Sequence, residues 1–404
     1  MDNPFKAISI SLIPNFAFGE TEDCWNLYRG EVKADGSEEK LKEVLEKYFD
    51  KSAAVTESGR LAMYLVLRAW GIGKGDEVVV QAFICSVVPA AVRAVGAKVV
   101  FGDIDESYNL DLVDLRKRIT SKTKAVIVQH SFGKPVKMDE LKKILGDRIM
   151  IIEDLAHGLG NSYKDKKLGT WGGVAVLSFG RDKAISGVWG GAVVADKETI
   201  EKVDKVQSVW PRRKQDWIKK QLLYPILMKV VLNSYVFLGF GKLVHWIVKK
   251  IGLLSEPISS EEKKGEMPLK YGGLPDELAY LILKQWNKLE EIIERRRKAA
   301  NFYCQKLGEK YEADSSYLRY TIRLNDAIGL RKFAAEQGVF LGDWYDQAVA
   351  PKSIKPSNFG YTEGSCLRAE KAVKEVVNLP TNPNLSEKEW LRVVNIVRRW
   401  KLKR

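Results

Sequence analysis

The stretch "SFGRDKAISGVWGG", Ser178–Gly191, decides how this chain is read. One apolar run, "GGVAVLSF", leads into it and another, "GGAVVAD", leads out. Short apolar runs of this kind suit buried strands. Between them Lys183 stands among small residues, Ser178, Gly180, Ser186 and Gly187. A loop lysine is ordinarily a solvated charge; one held at the mouth of a sheet is an amine available for chemistry. The residues upstream select between the two.

From Ser58 to Val194, compact Val- and Ile-rich runs alternate with amphipathic stretches such as "LDLVDLRKRI" and "MDELKKILGD". The runs are Val78–Val80, Lys98–Phe101, Ala125–Val128, Ile149–Glu153, Val174–Phe179 and Ala192–Val194. This alternation predicts an α/β fold, a mainly parallel sheet with helices on both faces. Such sheets bind ligands beyond the carboxyl ends of their strands. In "TESGRLAMYLVL", Ser58, Gly59 and Arg60 open an apolar helix, where backbone N–H groups and a guanidinium suit a phosphate. In "IMIIEDLAHG", Asp154 sits at a strand's carboxyl end. A phosphate cradle, a strand-end Asp and a strand-end Lys 29 residues later are what pyridoxal phosphate (PLP) requires. The lysine holds its aldehyde as a Schiff base, and the carboxylate keeps its pyridine nitrogen protonated.

The totals narrow the class. A chain of 404 residues is long for one domain and predicts two lobes. Its 45% apolar and 29% charged residues exclude a disordered or collagen-like chain. Cys24, Cys85, Cys304 and Cys366 lie far apart with no CxxC, and the histidines are only His130, His157 and His245. No metal centre, iron–sulfur cluster or disulfide framework is expected, and a reducing cytoplasm fits. The N-terminal stretch has no basic region followed by a long apolar core, so no secretory signal is read.

The net charge of +14 is unevenly placed. Residues 211–254 hold nine Lys or Arg against one acid, Asp216. Within them "LLYPILMKVVLNSYVFLGFG" carries one charge, Lys229, and "KLVHWIVKKIGLL" follows; Trp217, Tyr224, Tyr235 and Trp246 stand near the ends. Pro225, Asn233, Ser234 and paired glycines are expected to break up a spanning helix. Two readings remain: a hairpin with apolar groups in the acyl boundary and lysines on anionic headgroups, or a hairpin packed on the protein's own dimer or active site. The basic residues interleave with an aliphatic run rather than an open polar groove, so nucleic acid is not expected. Leu274–Leu307 reads as one long helical pattern, with Gln285 the polar exception on its apolar face. The expected division is a large PLP-binding domain, 1–272, carrying the insert at about 211–254, and a small C-terminal α/β domain, 273–404.

Many segments, in order, resemble the DegT/StrS-type family of PLP-dependent sugar aminotransferases. "SGRLAMYLVLRAWGIGKGDEVVV" resembles the family's SGTxAL…LGIGxGDEVI, and "AVGAKVVFGDIDESYNLD" its GAxPVFxDIDxxTxNID. "IIEDLAHGLGNSYKDKKLGTWGG" resembles VIEDAAQAxGAxYxGxxxGTxGD, and the opening stretch resembles FSFxxxKxLxxGxGGAVV. The resemblance implies PLP fold type I: a mainly parallel seven-stranded sheet in the large domain, beside the smaller α/β domain. It also implies a homodimer, glutamate as amino donor, and a nucleotide-linked keto-sugar acceptor in surface polysaccharide or glycan synthesis. The implied location is cytoplasmic, with 211–254 as the candidate contact to an anionic inner membrane face.

Carried over by position, Lys183 is the Schiff-base lysine, Asp154 the pyridinium partner, and His157 the residue beside the cofactor's phenolic oxygen. Gly59, Arg60 and Ser178 take the phosphate positions. Arg60 departs from the family's threonine, and Cys85, in "AFICSVV", stands where an aromatic residue normally stacks on the ring. Strand alternation would point Phe83 the same way as Cys85, leaving open which covers the ring. Arg181 and Trp189 are also unusual for the family, and Trp344 and Tyr345 in "GDWYDQAVAP" are candidates to line a sugar pocket. The alternatives are a sugar dehydratase or lyase of the same fold, whose histidine at the Schiff-base position Lys183 does not match, and a non-catalytic regulatory or membrane-associated scaffold.

Overall fold

Seven short strands, dominated by Val, Ile and Ala, make the central sheet of this computed structural model, which describes residues 6–10, 13–235, 240–250, 258–268 and 270–403. They are β1 (Ser52–Thr56), β2 (Glu77–Gln81), β3 (Lys98–Gly102), β4 (Thr123–Gln129), β5 (Met150–Asp154), β6 (Val174–Ser178) and β7 (Gly191–Ala195). Across the sheet the order is β1-β7-β6-β5-β4-β2-β3. Every pair is parallel except those of β7, which runs antiparallel to both β6 and β1. The connection 179–190 explains the reversal: it is only twelve residues and holds no helix, so it turns back as a hairpin instead of making the helical crossover a parallel return uses. The short strand β1, "SAAVT", is the one the sequence pattern passes over, because its alanines carry little apolar signal.

One consequence governs the site. The carboxyl ends of β1, β4, β5 and β6 lie along one edge, where β7 begins. Thr56, Gln129, Asp154, Ser178 and Gly191 therefore gather there.

Helix α1 (Glu20–Arg29) covers one face together with α3 (Gln215–Asn233), and α2 (Gly59–Ala69) follows β1. Contrary to the expected break, α3 runs through Pro225. Losing that N–H and crowding the preceding turn costs about 3 kcal/mol. Against it, Ile218, Leu222, Met228 and Val231 are buried in the core with Cys24 and Leu27 of α1, and each such side chain contributes roughly 1.5–3 kcal/mol. Packing wins. The second arm of the insert is α4 (Phe240–Lys250); residues 236–239 and 251–254 of the insert lie outside the described residues.

The long helical pattern after Leu274 is two helices, α5 (Asp276–Trp286) and α6 (Leu289–Leu307). They part at Lys288, whose ψ of 15° leaves the helical range. Leu278, Leu281, Ile282 and Ile292 pack with Leu41 and Leu45 against the β7 side of the sheet. Further along, α6 supplies Tyr303 to a separate core with the antiparallel pair β8 (Tyr320–Arg323) and β9 (Val376–Leu379), closed by α7 (Glu387–Leu402).

Candidate active site

A cavity of about 880 Å³ opens at the carboxyl edge of the sheet. Gly59, Arg60, Cys85, Asp154, His157, Ser178 and Lys183, the residues singled out by sequence, all line it. They come from four separate parts of the chain.

Asp154 ends β5, paired with Gln129 on one side and Val176 on the other. Its carboxylate accepts the Ala156 N–H at 2.9 Å. Burial pushes its carboxyl above the ordinary range, while the Ala156 N–H and the nearby Lys183 pull it back. A buried acid on a cavity floor, eased by neighbouring positive charge, is chemically suited to a protonated ring nitrogen.

Lys183 lies on the β6–β7 connection, which is tied from several directions. The Phe179 N–H donates to Gly190 O at 2.8 Å and closes the loop at its base. Gln285 of α5, buried, accepts the Ser186 N–H at 3.1 Å and donates to Ser186 O at 2.7 Å. Its polar side chain on an apolar helix face thus has a partner. Asn15 Nδ2 donates to Lys183 O at 2.8 Å, and Asn382 Nδ2 to Asn15 Oδ1 at 2.7 Å. The Lys183 ammonium lies 4.6 Å from the centroid of the Trp344 ring.

Trp344 stacks on His157 with ring centroids 4.7 Å apart and planes 5° from parallel. His157 accepts the Phe132 N–H at Nδ1, 3.2 Å away. The neutral ring therefore carries its proton on Nε2, which faces the Tyr345 hydroxyl at 3.3 Å. That hydroxyl donates to Gln129 Oε1 at 3.2 Å. Burial, then Lys183 and Arg319, hold His157 well below the usual imidazole range, so it serves as a neutral donor.

At the phosphate side, Ser58 caps α2, its Oγ accepting the Leu61 N–H. The first N–H groups of a helix lack intrahelical partners and favour an anion. A Cβ on Gly59 would come within 2.8 Å of the Ser178 Cβ. Only glycine lets the helix start close onto the end of β6. Arg60 is more engaged than its assigned role suggests: it pairs with Glu262 and lies 5.4 Å from the Trp189 ring centroid. The cradle, the buried acid and the amine fit PLP in residue type, and all of them line the one cavity.

Strand alternation misleads at Phe83. Its φ is +61°, so the chain twists there and the side chain turns into the core against Tyr108, Phe132 and Tyr345. Cys85 alone of the two lines the cavity, in a short strand paired with Val349–Ala350. Burial pushes its thiol up, so it presents an uncharged surface. Sequence reasoning passed over Gln129, Asp182 and Arg319. Gln129 carried a readable signal, a polar residue closing an apolar strand as Asp154 does; Arg319, inside "YLRYTIRL", carried none.

The family model described as the DegT/DnrJ/EryC1/StrS aminotransferase family matches residues 23–225 and 260–398. The unmatched stretch between them falls largely on the basic, apolar insert. The chain is 32% identical over 367 residues to the spore coat polysaccharide biosynthesis protein SpsC of Bacillus subtilis, covering 86% of this chain and 85% of that one. It is 28% identical over 357 residues to the dTDP-3-amino-3,4,6-trideoxy-alpha-D-glucose transaminase of Streptomyces venezuelae, covering 86% and 82%. The PLP form of a putative sugar aminotransferase, Spr1654 from Streptococcus pneumoniae, superposes with a TM-score of 0.73 at 20% identity over 96% of this chain and 97% of that one, a shared fold.

Proposed function

Because this chain belongs to the DegT/DnrJ/EryC1/StrS aminotransferase family, we propose that its cavity transfers an amino group from glutamate to a nucleotide-linked keto-sugar in surface polysaccharide or glycan synthesis. The chain is a PLP-dependent transaminase. The observation that carries the reading is the convergence of Lys183, Asp154 and the Gly59–Ser178 cradle on one cavity at the sheet edge.

Gly59, Arg60 and Ser178 would hold the phosphate, Asp154 the ring nitrogen, and Lys183 the aldehyde carbon. When bound, the cofactor supplies an electron sink for bond breaking at the amino donor's α-carbon. Asp154 would keep the ring nitrogen protonated. His157, neutral with its proton on Nε2, would stand on the side of the phenolic oxygen, and Cys85 would be the cavity residue available to cover a ring face. Lys183 Nζ takes the proton from the donor's α-carbon and later returns one to the acceptor carbon. Trp344 and Tyr345 exclude water from that wall and face the sugar. By the family resemblance, two copies assemble with their cavities at the shared interface. The test is the half-reaction: with PLP bound, glutamate alone should bleach the visible absorbance and release 2-oxoglutarate in a single turnover. A wild-type protein that stays colourless with PLP, or binds it without responding to glutamate, overturns the reading.

The insert supports a second element of the proposal, contact with an anionic membrane surface on the cytoplasmic side. Among the described residues no helix is long and apolar enough to cross a membrane. In α4, Val248 is buried, while Leu243, Trp246 and Ile247 are 54%, 58% and 41% exposed and share one face. The Lys250 ammonium lies 4.8 Å from the Trp246 ring centroid. Exposed Leu, Trp and Ile beside lysines suit the headgroup boundary, and the segment's excess positive charge complements anionic lipid. Wild-type protein should sediment with phosphatidylglycerol vesicles but not phosphatidylcholine vesicles, and high salt should release it. L243S/W246S/I247S should bind about 10-fold less, since three exposed apolar side chains lose their insertion. Equal binding to both lipids, or a variant that instead loses its oligomeric state, overturns membrane contact.

A further inference from the structure

Arg319 lies just before β8, 2% exposed, yet does not line the cavity. Its guanidinium carbon is 3.2 Å from the centroid of the Trp344 ring, the ring that stacks on His157 and faces the Lys183 amine. One arm of its fork reaches Asn378 Oδ1 at 3.3 Å, an oxygen that also accepts the Trp344 N–H at 2.9 Å. The other reaches Asp182 Oδ2 at 3.4 Å, on the residue preceding Lys183. Burial pulls its pKa down to about 10, which leaves it charged at neutral pH.

We infer that Arg319 is a positioning residue for transamination, fixing Trp344 and Asp182 around Lys183 from the carboxyl-terminal part of the chain. The inference rests on the transaminase reading above. Three features make the role geometric rather than a matter of charge alone. A flat guanidinium can stack on an indole while its two arms reach two partners in its plane; an ammonium cannot do both. Asp182 held by Arg319 is kept from turning its carboxylate onto the neighbouring amine. Trp344, clamped between Arg319 and His157, presents a fixed surface to Lys183 Nζ. Without the clamp the amine loses its aligned approach, and misplacements of about 1 Å cost on the order of 100-fold in rate.

The experiment is a double-mutant cycle in the PLP-loaded enzyme with Arg319→Lys and Asp182→Asn. R319K should lower kcat on the order of 10- to 100-fold, with the glutamate KM within about 3-fold of wild type, because Arg319 touches neither substrate and the Trp344 it holds faces the sugar rather than the amino donor. D182N should lower kcat less, and the double variant should be no slower than R319K, since both act through one network. The cofactor's visible band should still form in every variant. Rescue of kcat to within 2-fold by R319K overturns the inference, as does additivity of the two effects. A loss confined to KM also overturns it. If R319K unfolds, D182N alone decides, wild-type kcat in it counting against the inference and a lowered kcat at unchanged KM counting for it. Wild-type turnover is the internal control: its absence sinks the transaminase reading, whereas its presence beside an unaffected R319K sinks only the role of Arg319.

Discussion

Lys183→Ala should abolish transamination, lowering kcat by at least ~10³-fold, within the range that a general acid–base group contributes. Two functions are lost together: the amine that holds the cofactor's aldehyde and the base that moves the α-proton. Wild-type protein incubated with PLP should absorb at the edge of the visible spectrum, and the variant should not. The fold should survive, because the loop is held by its backbone. Its ties run through Phe179, Ser186 and the carbonyl of Lys183, not through the lysine side chain. Near-native melting with no visible band is the expected pair of results. A variant that keeps both band and turnover would move the chemistry to another amine.

Asp154→Asn should separate stability from cofactor binding. In the cofactor-free protein the folded-state pKa of Asp154 is raised by burial above its unfolded value. The folded state then binds more protons than the unfolded chain, so stability falls as pH climbs from the unfolded pKa through the folded one. Asparagine removes that penalty. The cofactor-free variant should therefore melt at or above the wild-type temperature at neutral pH. Cofactor binding should move the other way. Removing one member of a buried charge pair costs about 3–5 kcal/mol, on the order of 10²- to 10⁴-fold in affinity or rate. A spectroscopic PLP titration checks the loss, and calorimetry of the cofactor-free protein checks the gain. Parallel losses in both would make Asp154 a structural acid.

Much of this was legible in the sequence for a physical reason. Strands buried on both faces write themselves as Val and Ile runs, and parallel topology sends their ends to one edge. The spacing of Asp154 and Lys183 along the chain thus reports a shared location in space. The alanine-rich β1 escaped, since small residues pack a sheet without an apolar signature. Pro225 misled because local propensity was outweighed by the contacts α3 makes with α1. Phe83 misled because period-two alternation fails wherever φ turns positive. Arg319 was invisible for a deeper reason. Its partners, Trp344, Asn378 and Asp182, are up to 137 positions away, and no local pattern encodes such a meeting.

The antiparallel strand β7 has an effect beyond topology. It makes the Lys183 connection a hairpin with both feet in one sheet, so the amine rides on a segment anchored at both ends. The opposite wall is built differently, from Trp344 and Tyr345 on a loop and from Ile258 and Lys263 just after the insert. Selection for a new acceptor therefore has a natural division of labour. Diversity placed at 258–263 would reshape what enters the cavity, while the 178–191 hairpin and the Trp344 ring beside its amine carry the reaction unchanged. A combinatorial library built on 258–263 should yield altered acceptor preference with the half-reaction on glutamate intact; one built on the hairpin should yield mostly inactive protein.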